Sequence, residues 1–162
     1  MAKASLIRVL LVEDNAVVVQ TVRSILRNFP NIEVVGEAGD GEEGVLKAGQ
    51  LQPSVVLMDI NIPKMDGIAA TRLIKTHYPH IAVVGLTLHT QGYNLDAMQK
   101  AGAFEILSKE KALDELYGAI QRAVASIQPI LILEDTPASN QKDVSAVQES
   151  MKVTEKKSAS EN

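Results

Sequence analysis

A chain of 162 residues that is 46% hydrophobic and 22% charged can bury the core of one soluble domain and is too short for two of ordinary size. Its net charge of −4, with no basic block, excludes an obvious electrostatic footprint for nucleic acid. It has no cysteine, which excludes disulfides, thiolate catalysis and cysteine-based zinc sites.

The run Ile7 to Val12 reads as a strand and is followed directly by Glu13-Asp14. The apolar stretch around it, from Leu6, is too short for a signal-peptide core or a membrane span. Nothing later approaches spanning length, so a cytoplasmic protein is expected. Asn15 is a good N-cap for a helix carrying Val18, Val22, Ile25, Leu26 and Phe29 at helical spacing, which Pro30 stops. Ile32 to Val35 is a second strand, and Gly36 to Gly44 a glycine-rich, acidic connection. A short helix through Val45 and Leu46 is expected to end near Gly49.

Val55 to Met58, introduced by Pro53, is an unbroken apolar run rich in β-branched residues, as in a strand buried on both faces. It stops at Asp59, and the chain turns through Pro63 and Gly67. A helix bearing Ile68, Leu73 and Ile74 is closed by Tyr78-Pro79. Ile81 to Leu86 is a fourth strand ending at Thr87. Leu95 and Met98 mark a helix ended by Gly102. Phe104 to Leu107 is a fifth strand ending at Ser108-Lys109. Leu113, Leu116, Tyr117, Ile120, Val124 and Ile127 trace a fifth amphipathic helix. Strand and helix alternate five times, which implies right-handed crossovers and a parallel sheet covered on both faces.

Beyond Pro129 the character changes. Ile130 to Leu133 is a short apolar run that echoes Val9 to Val12 without a matching helix after it. From about Asp135 the chain is polar and is expected to be a disordered tail. Val144, Val147 and Met151 sit at helical spacing and offer an alternative, a short docking helix, which would be marginal without packing.

In a parallel sheet the strand ends converge on one edge, where chemistry collects in open α/β folds. That edge would hold Glu13, Asp14, Asp59, Thr87 and Lys109. Taken singly, these are a helix-start pair, a turn former, a β-former and a solvated charge. As a set they share one reaction. Three carboxylates in a small crevice repel one another, and a hard divalent cation that keeps some water, Mg²⁺, resolves the repulsion. A carboxylate beside such a metal can attack phosphorus, while the metal and a lysine neutralise the phosphoryl oxygens and a threonine hydroxyl donates to another. The histidines His77, His80 and His89 show no ligand spacing.

The segments VLLVEDN, VVLMDINIPKMDG, VVGLTLHT and FEILSKE, in this order, resemble the receiver domain of bacterial two-component response regulators. The likeness runs from about Leu6 to Ile127 and is nearest in style to NarL-like regulators. It implies a flavodoxin-like (βα)5 fold with a doubly wound five-stranded sheet in the order 2-1-3-4-5. Residues 1–128 would form the receiver, and 129–162 a C-terminal extension. It implies that Asp59 accepts a phosphoryl group from a sensor histidine kinase or a histidine phosphotransfer protein. Glu13 and Asp14 would form the acidic pocket. Asp14, Asp59 and the backbone carbonyl of Asn61 would bind Mg²⁺, and Thr87 and Lys109 would contact the phosphoryl group. Such a domain promotes only its own aspartyl phosphorylation and dephosphorylation. It would signal, or dimerise, through the face made by the fourth helix, fifth strand and fifth helix, with Leu95 and Tyr117 as examples. No membrane contact and no direct nucleic-acid binding by this chain are expected.

Three departures stand out. The family's aromatic switch position falls on Ile106, which has neither ring nor hydroxyl, and Phe104 shares its strand parity. Glu110 replaces the proline common after the lysine, so a cis bond there would cost about 3 kcal/mol over trans. NarL-like regulators normally continue into a DNA-binding domain, for which the residues after Ile127 lack apolar content. The alternatives are thus a receiver-fold interaction module not governed by phosphorylation, or the receiver half of a DNA-binding regulator.

Two enzymatic rivals are weaker. Gly39 to Gly44 matches G-x-G-x-x-G between a strand and a helix, but Asp40, Glu42 and Glu43 would place three negative charges where a pyrophosphate must sit. An aspartate-nucleophile phosphohydrolase would usually need an acid two residues after Asp59, where Asn61 stands.

Overall fold

The computed structural model describes residues 5–89, 91–127 and 150–152. Strands and helices alternate as β1 (Ile7–Val12), α1 (Ala16–Leu26), β2 (Ile32–Ala38), α2 (Gly41–Leu51), β3 (Val55–Asp59), α3 (Gly67–His77), β4 (Ala82–Thr87), α4 (Tyr93–Ala101), β5 (Glu105–Ser108) and α5 (Ala112–Ser126). All four strand pairings are parallel, and the sheet order is β2-β1-β3-β4-β5. This is the doubly wound, flavodoxin-like arrangement expected from the alternation and the resemblance.

Successive strand residues point to opposite faces, and the apolar residues divide accordingly. Leu10, Val12, Val56, Met58 and Val83 face a layer that includes Val45, Ala48, Ala70, Ile74 and Met98 of α2, α3 and α4. Val9, Leu11, Val55, Leu57, Val84 and Leu86 face Val22 and Leu26 of α1 and Leu116, Ile120 and Ala123 of α5. Every residue of β3 is buried. A strand covered on both sides must be apolar throughout, which is why its terminal carboxylate, Asp59, is conspicuous.

Three turns at the carboxyl edge of the sheet end in a side-chain cap. Asn15 Oδ1 accepts from the N–H groups of Val17 (2.9 Å) and Val18 (3.3 Å), as its position before the apolar period predicts. Asp40 Oδ1 accepts from Glu43 N–H at 2.8 Å, and Asp66 Oδ1 from Ala69 N–H at 2.8 Å. These caps anchor the starts of α1, α2 and α3 around the edge where β1 and β3 finish. At the opposite end of α4, Gly102 adopts a left-handed φ of 112° and closes the helix, as expected.

Two boundaries differ from the sequence reading. β2 continues to Ala38, with a register shift opposite Val9/Leu10 that leaves Val35 as the extra residue. α2 runs past Gly49 to Leu51, because the left-handed residue that ends it is Gln52 (φ 47°). Gly49 instead lets the helix approach the Tyr78 hydroxyl closely. The peptide after Lys109 is trans, as are all described peptides.

Of the C-terminal extension, residues 150–152 are among those described. Ser150–Lys152 are helical, and Met151 is 8% exposed within the core layer on the α3 side. The run Ile130 to Leu133, and Val144 and Val147, lie outside the described residues.

Two close approaches fasten the β3–α3 loop. A Cβ on Gly41 would collide with the Met65 carbonyl, whose carbon would lie at 2.8 Å, and a Cβ on Gly67 would collide with the Asp59 carbonyl and lie 2.8 Å from Ile60 Cα. Gly67 N–H also donates to the Ile60 carbonyl at 2.9 Å. Gly67→Ala is therefore expected to destabilise the fold by about 1–3 kcal/mol in urea unfolding. Gly39→Ala, with nothing within 4 Å of the new Cβ, should change the midpoint little.

Asp40 fastens the start of α2 from two sides. Its carboxylate caps α2 and pairs with Lys64 Nζ at 3.1 Å. Burial opposes its charge, but the Glu43 N–H and the Lys64 ammonium outweigh it and hold its pKa below the ordinary 3.8. A depressed folded pKa contributes stability above the unfolded value, lost as pH falls through the folded one. Asp40→Ala should cost about 1 kcal/mol at neutral pH. The gap to wild type should narrow as unfolding is repeated below pH 3.8.

Candidate functional site

The carboxyl edge of the sheet gathers the acids by topology alone. β1 and β3 are hydrogen-bonded neighbours with Val12 opposite Met58, so Glu13 and Asp59, one residue further along each strand, emerge side by side. β4 pairs Leu86 with Asp59, and β5 pairs Ser108 with Thr87, which brings Thr87 and Lys109 to the same edge. The Lys109 N–H donates to the Thr87 carbonyl at 2.8 Å, tying the last two strand ends together.

The Lys109 ammonium lies 2.6 Å from Glu13 Oε2 and 3.0 Å from Asp59 Oδ2. The Glu13 side chain is fully buried, and those of Asp59 and Lys109 are 4% and 12% exposed. Glu13 Oε1 accepts from Asn15 N–H at 3.1 Å, and Asp59 Oδ1 from Asn61 N–H at 3.2 Å. Burial pushes the Glu13 carboxyl up, with Asp59 adding to it, against the opposing pull of Lys109 and the Asn15 N–H. Burial alone would lower the pKa of Lys109, but contact with Glu13 and Asp59 holds its ammonium above the ordinary lysine value.

Asp14 completes the cluster from the solvent side. Carboxylate oxygens of Glu13, Asp14 and Asp59 all lie within 4.8 Å of one another, the one such group of potential metal ligands among the described residues. Three carboxylates beside one ammonium leave a formal charge of −2, on oxygen donors only. That composition fits a hard divalent cation better than a transition metal. His77, His80 and His89 take no part: His80 Nε2 contacts Gln52 Oε1 at 2.6 Å, and His77 lies at the far end of α3.

Thr87 is at the expected edge, but its hydroxyl is engaged with the following loop. It donates to the His89 carbonyl and accepts from the His89 N–H, both at 3.0 Å. Ile106 lies opposite Gly85 on the α4 side, where a Cβ on Gly85 would sit 3.2 Å from Ile106 Cγ1 and from Met98 Cε. Phe104 stands just before β5 and is 44% exposed.

Two side chains of the expected signalling face make contacts within the chain. Tyr117 stacks on Phe29, with centroids 3.9 Å apart and planes 5° from parallel, and its hydroxyl donates to Asn31 Oδ1 at 3.3 Å. It therefore braces α5 against the end of α1. Leu95 is half-buried against the α3-side core. The side chains presented at β5 and α5 include the pair Glu105–Arg122, with Oε1 to Nη2 at 2.8 Å, and Phe104.

Two features escaped the sequence reading. Gly67, a turn former by its residue type, also seats α3 against the Asp59 carbonyl. A groove lined by Val17, Thr21, Ile25, Ala112 and Lys109 runs between α1 and the start of α5 beside the pocket, with Val17 71% exposed. An exposed valine beside a helical apolar stripe was the available signal. The glycine-rich segment behaves as a packing turn: a Cβ on Gly44 would meet Val12 at 2.9 Å, and Glu43 pairs with Lys47 at 2.6 Å.

Comparison with known proteins agrees with this geometry. The family model for the response regulator receiver domain matches residues 9–121. The chain is 38% identical over 120 residues to the response regulator GacA of Pseudomonas protegens, covering 74% of this chain and 56% of that protein. The receiver domain of CheB from Thermotoga maritima superposes with a TM-score of 0.69 at 29% identity, covering 76% of this chain and 99% of that one. The receiver domain of the putative response regulator NarL from Mycobacterium tuberculosis has the same fold, with a TM-score of 0.71 at 23% identity, covering 75% and 98% of the two chains. The chain spans about half the length of the curated relatives it matches. A buried strand-end aspartate beside two further acids and a bridging lysine, on a sheet of order 2-1-3-4-5, thus places this chain in the response regulator receiver domain family.

Proposed function

We propose that Asp59 is the phosphoacceptor of a phosphorelay and that this chain takes its phosphoryl group from a phosphohistidine on a sensor kinase or a histidine phosphotransfer protein. The observation that carries this reading is the Lys109 ammonium held between Asp59 and Glu13 within a pocket of three carboxylates. Asp14, Asp59 and the Asn61 carbonyl would hold Mg²⁺, with Glu13 at its side. The ion supplies charge neutralisation for the phosphoryl oxygens.

An oxygen of the Asp59 carboxylate attacks phosphorus. A P–O bond forms as the P–N bond breaks, and the departing imidazole keeps the electron pair and takes a proton from solvent. Lys109, already 3.0 Å from Asp59, follows the charge onto the phosphoryl oxygens. The Thr87 hydroxyl would leave His89 to donate to the acyl phosphate, which couples the pocket to the loop before α4. Ile106 cannot swing a ring over Thr87, so this coupling runs through the loop and α4. The output surface is α4-β5-α5, reached by partners or by a second copy at Phe104, Glu105 and Arg122. The donor would dock on the apolar groove between α1 and α5, beside the pocket. The proposed location is cytoplasmic, where such donors act; among the described residues no helix is long and apolar enough to cross a membrane.

Intact mass after incubation with a small-molecule phosphodonor tests the reading. Wild type should gain one phosphoryl group only with Mg²⁺, Asp59→Asn should gain none, and Asp14→Asn should need at least tenfold more Mg²⁺. Wild-type protein that stays folded, binds Mg²⁺ and yet gains nothing would instead favour an interaction module governed by something other than phosphorylation. On the output side, Phe104→Ala with Arg122→Ala should abolish any phosphorylation-dependent self-association seen by sedimentation. Tyr117→Phe, at a ring stacked on Phe29, should leave it unchanged.

A further inference from the structure

The loop between β3 and α3 carries Asn61, whose backbone carbonyl is the one proposed Mg²⁺ ligand that no side chain supplies. A backbone ligand is aimed only by fixing the loop that bears it. The sheet edge fixes one end: Ile60 N–H donates to the Leu86 carbonyl at 3.1 Å, and Asn61 N–H to Asp59 Oδ1 at 3.2 Å. Ile60, Ile62 and Met65 are buried in the core layer on the α3 side. Lys64 stands apart. Its φ is 64°, in the left-handed region that residues with a Cβ rarely adopt. Nothing in the phosphoryl-transfer chemistry uses its side chain.

What Lys64 does touch is the start of α2. Its Nζ lies 3.1 Å from Asp40 Oδ2, and the Asp40 side chain is only 13% exposed. Asp40 Oδ1 is already held by the Glu43 N–H at 2.8 Å. The acid is therefore fixed by its cap, and the pair has to order only the lysine. The next residue, Met65, places its carbonyl against Gly41, where a Cβ has no room. Two consecutive residues of the loop are thus seated on α2, one through an ion pair and one through the backbone.

We infer that Lys64 is a positioning residue: by pairing with Asp40 it holds the β3–α3 loop in its left-handed turn, and so biases the acidic pocket toward Mg²⁺ over Ca²⁺. The inference rests on the metal site proposed above. Mg²⁺ is small and demands near-octahedral geometry, whereas Ca²⁺ accepts more oxygens in looser arrangements. A loop free to shift therefore penalises Mg²⁺ the more. A purely electrostatic role predicts something else. The two ions carry the same charge, so the Lys64 ammonium acting through its field alone would oppose both alike, and its removal would strengthen both.

The test is calorimetric titration of the unphosphorylated full chain with Mg²⁺ and, separately, with Ca²⁺, each variant being shown to be folded by its thermal unfolding. Lys64→Met and Asp40→Asn change the local charge in opposite directions, and asparagine preserves the cap on α2. Both should nevertheless raise the Kd for Mg²⁺ about threefold, the scale of a partly exposed ion pair, and lower the preference for Mg²⁺ over Ca²⁺ by about twofold or more. Lys64→Arg, which keeps the pair, should stay close to wild type. A preference unchanged from wild type in Lys64→Met or Asp40→Asn, or Mg²⁺ binding that tightens in Lys64→Met, would overturn the positioning role and leave the metal site standing. Wild type that takes up no Mg²⁺ would overturn the metal site and the positioning role with it.

Discussion

The burial of Glu13 and Asp59 against a single ammonium is the constraint on which the rest of this molecule depends. Isolated carboxylates in an apolar setting are costly, and they persist only when paired and hydrogen-bonded. Here Lys109 pairs with both, while the N–H groups of Asn15 and Asn61 accompany the two acids. That arrangement requires three strand ends to be in register, and the β1–β3–β4–β5 pairings supply it. It also requires the two loops after β1 and β3 to begin helices at once. Asn15 and Asp66 cap those helices, and Gly67 removes the side chain that would otherwise collide with the Asp59 carbonyl. The pocket is thus a product of the sheet edge and the helix starts together.

The same geometry explains why the pocket resists the other readings. Its net formal charge invites a divalent cation and repels a pyrophosphate. In the glycine-rich segment before α2, which copies a dinucleotide-binding pattern on paper, Gly41 and Gly44 serve close approaches to Met65 and Val12, Asp40 caps α2 and Glu43 pairs with Lys47. Asn61, standing where a phosphohydrolase would need an acid, contributes its backbone N–H to Asp59. A pattern of residue types is informative only when the backbone brings the right atoms to one place. These atoms meet around Lys109.

The output side is less conventional. Thr87 is engaged with the loop through His89, and Ile106 lies beside Gly85 and packs against the core cluster that includes Met98. A branched aliphatic side chain there offers no two-position ring. The same apolar layer includes Met151, and Ile106 packs against it.

Most of the architecture was legible from residue order. Short apolar runs ending in Glu13-Asp14, Asp59, Thr87 and Lys109, separated by helical periods, leave little choice but a parallel sheet with those residues on one edge. Local chemistry also announced Asn15 as a cap and Gly102 as a helix stop, because caps and left-handed closures depend on a few neighbouring atoms. What residue order left open depended on long-range contact. The end of α2 moved from Gly49 to Gln52 because Gly49 serves the approach of Tyr78. Tyr117 turned towards Phe29 because the end of α1 meets α5 there. Ser150 found a partner in His77 of α3 that no local pattern could name. Periodicity tells which residues must be covered; only the packed tertiary structure decides what covers them, since apolar burial is non-directional and any complementary surface can satisfy it.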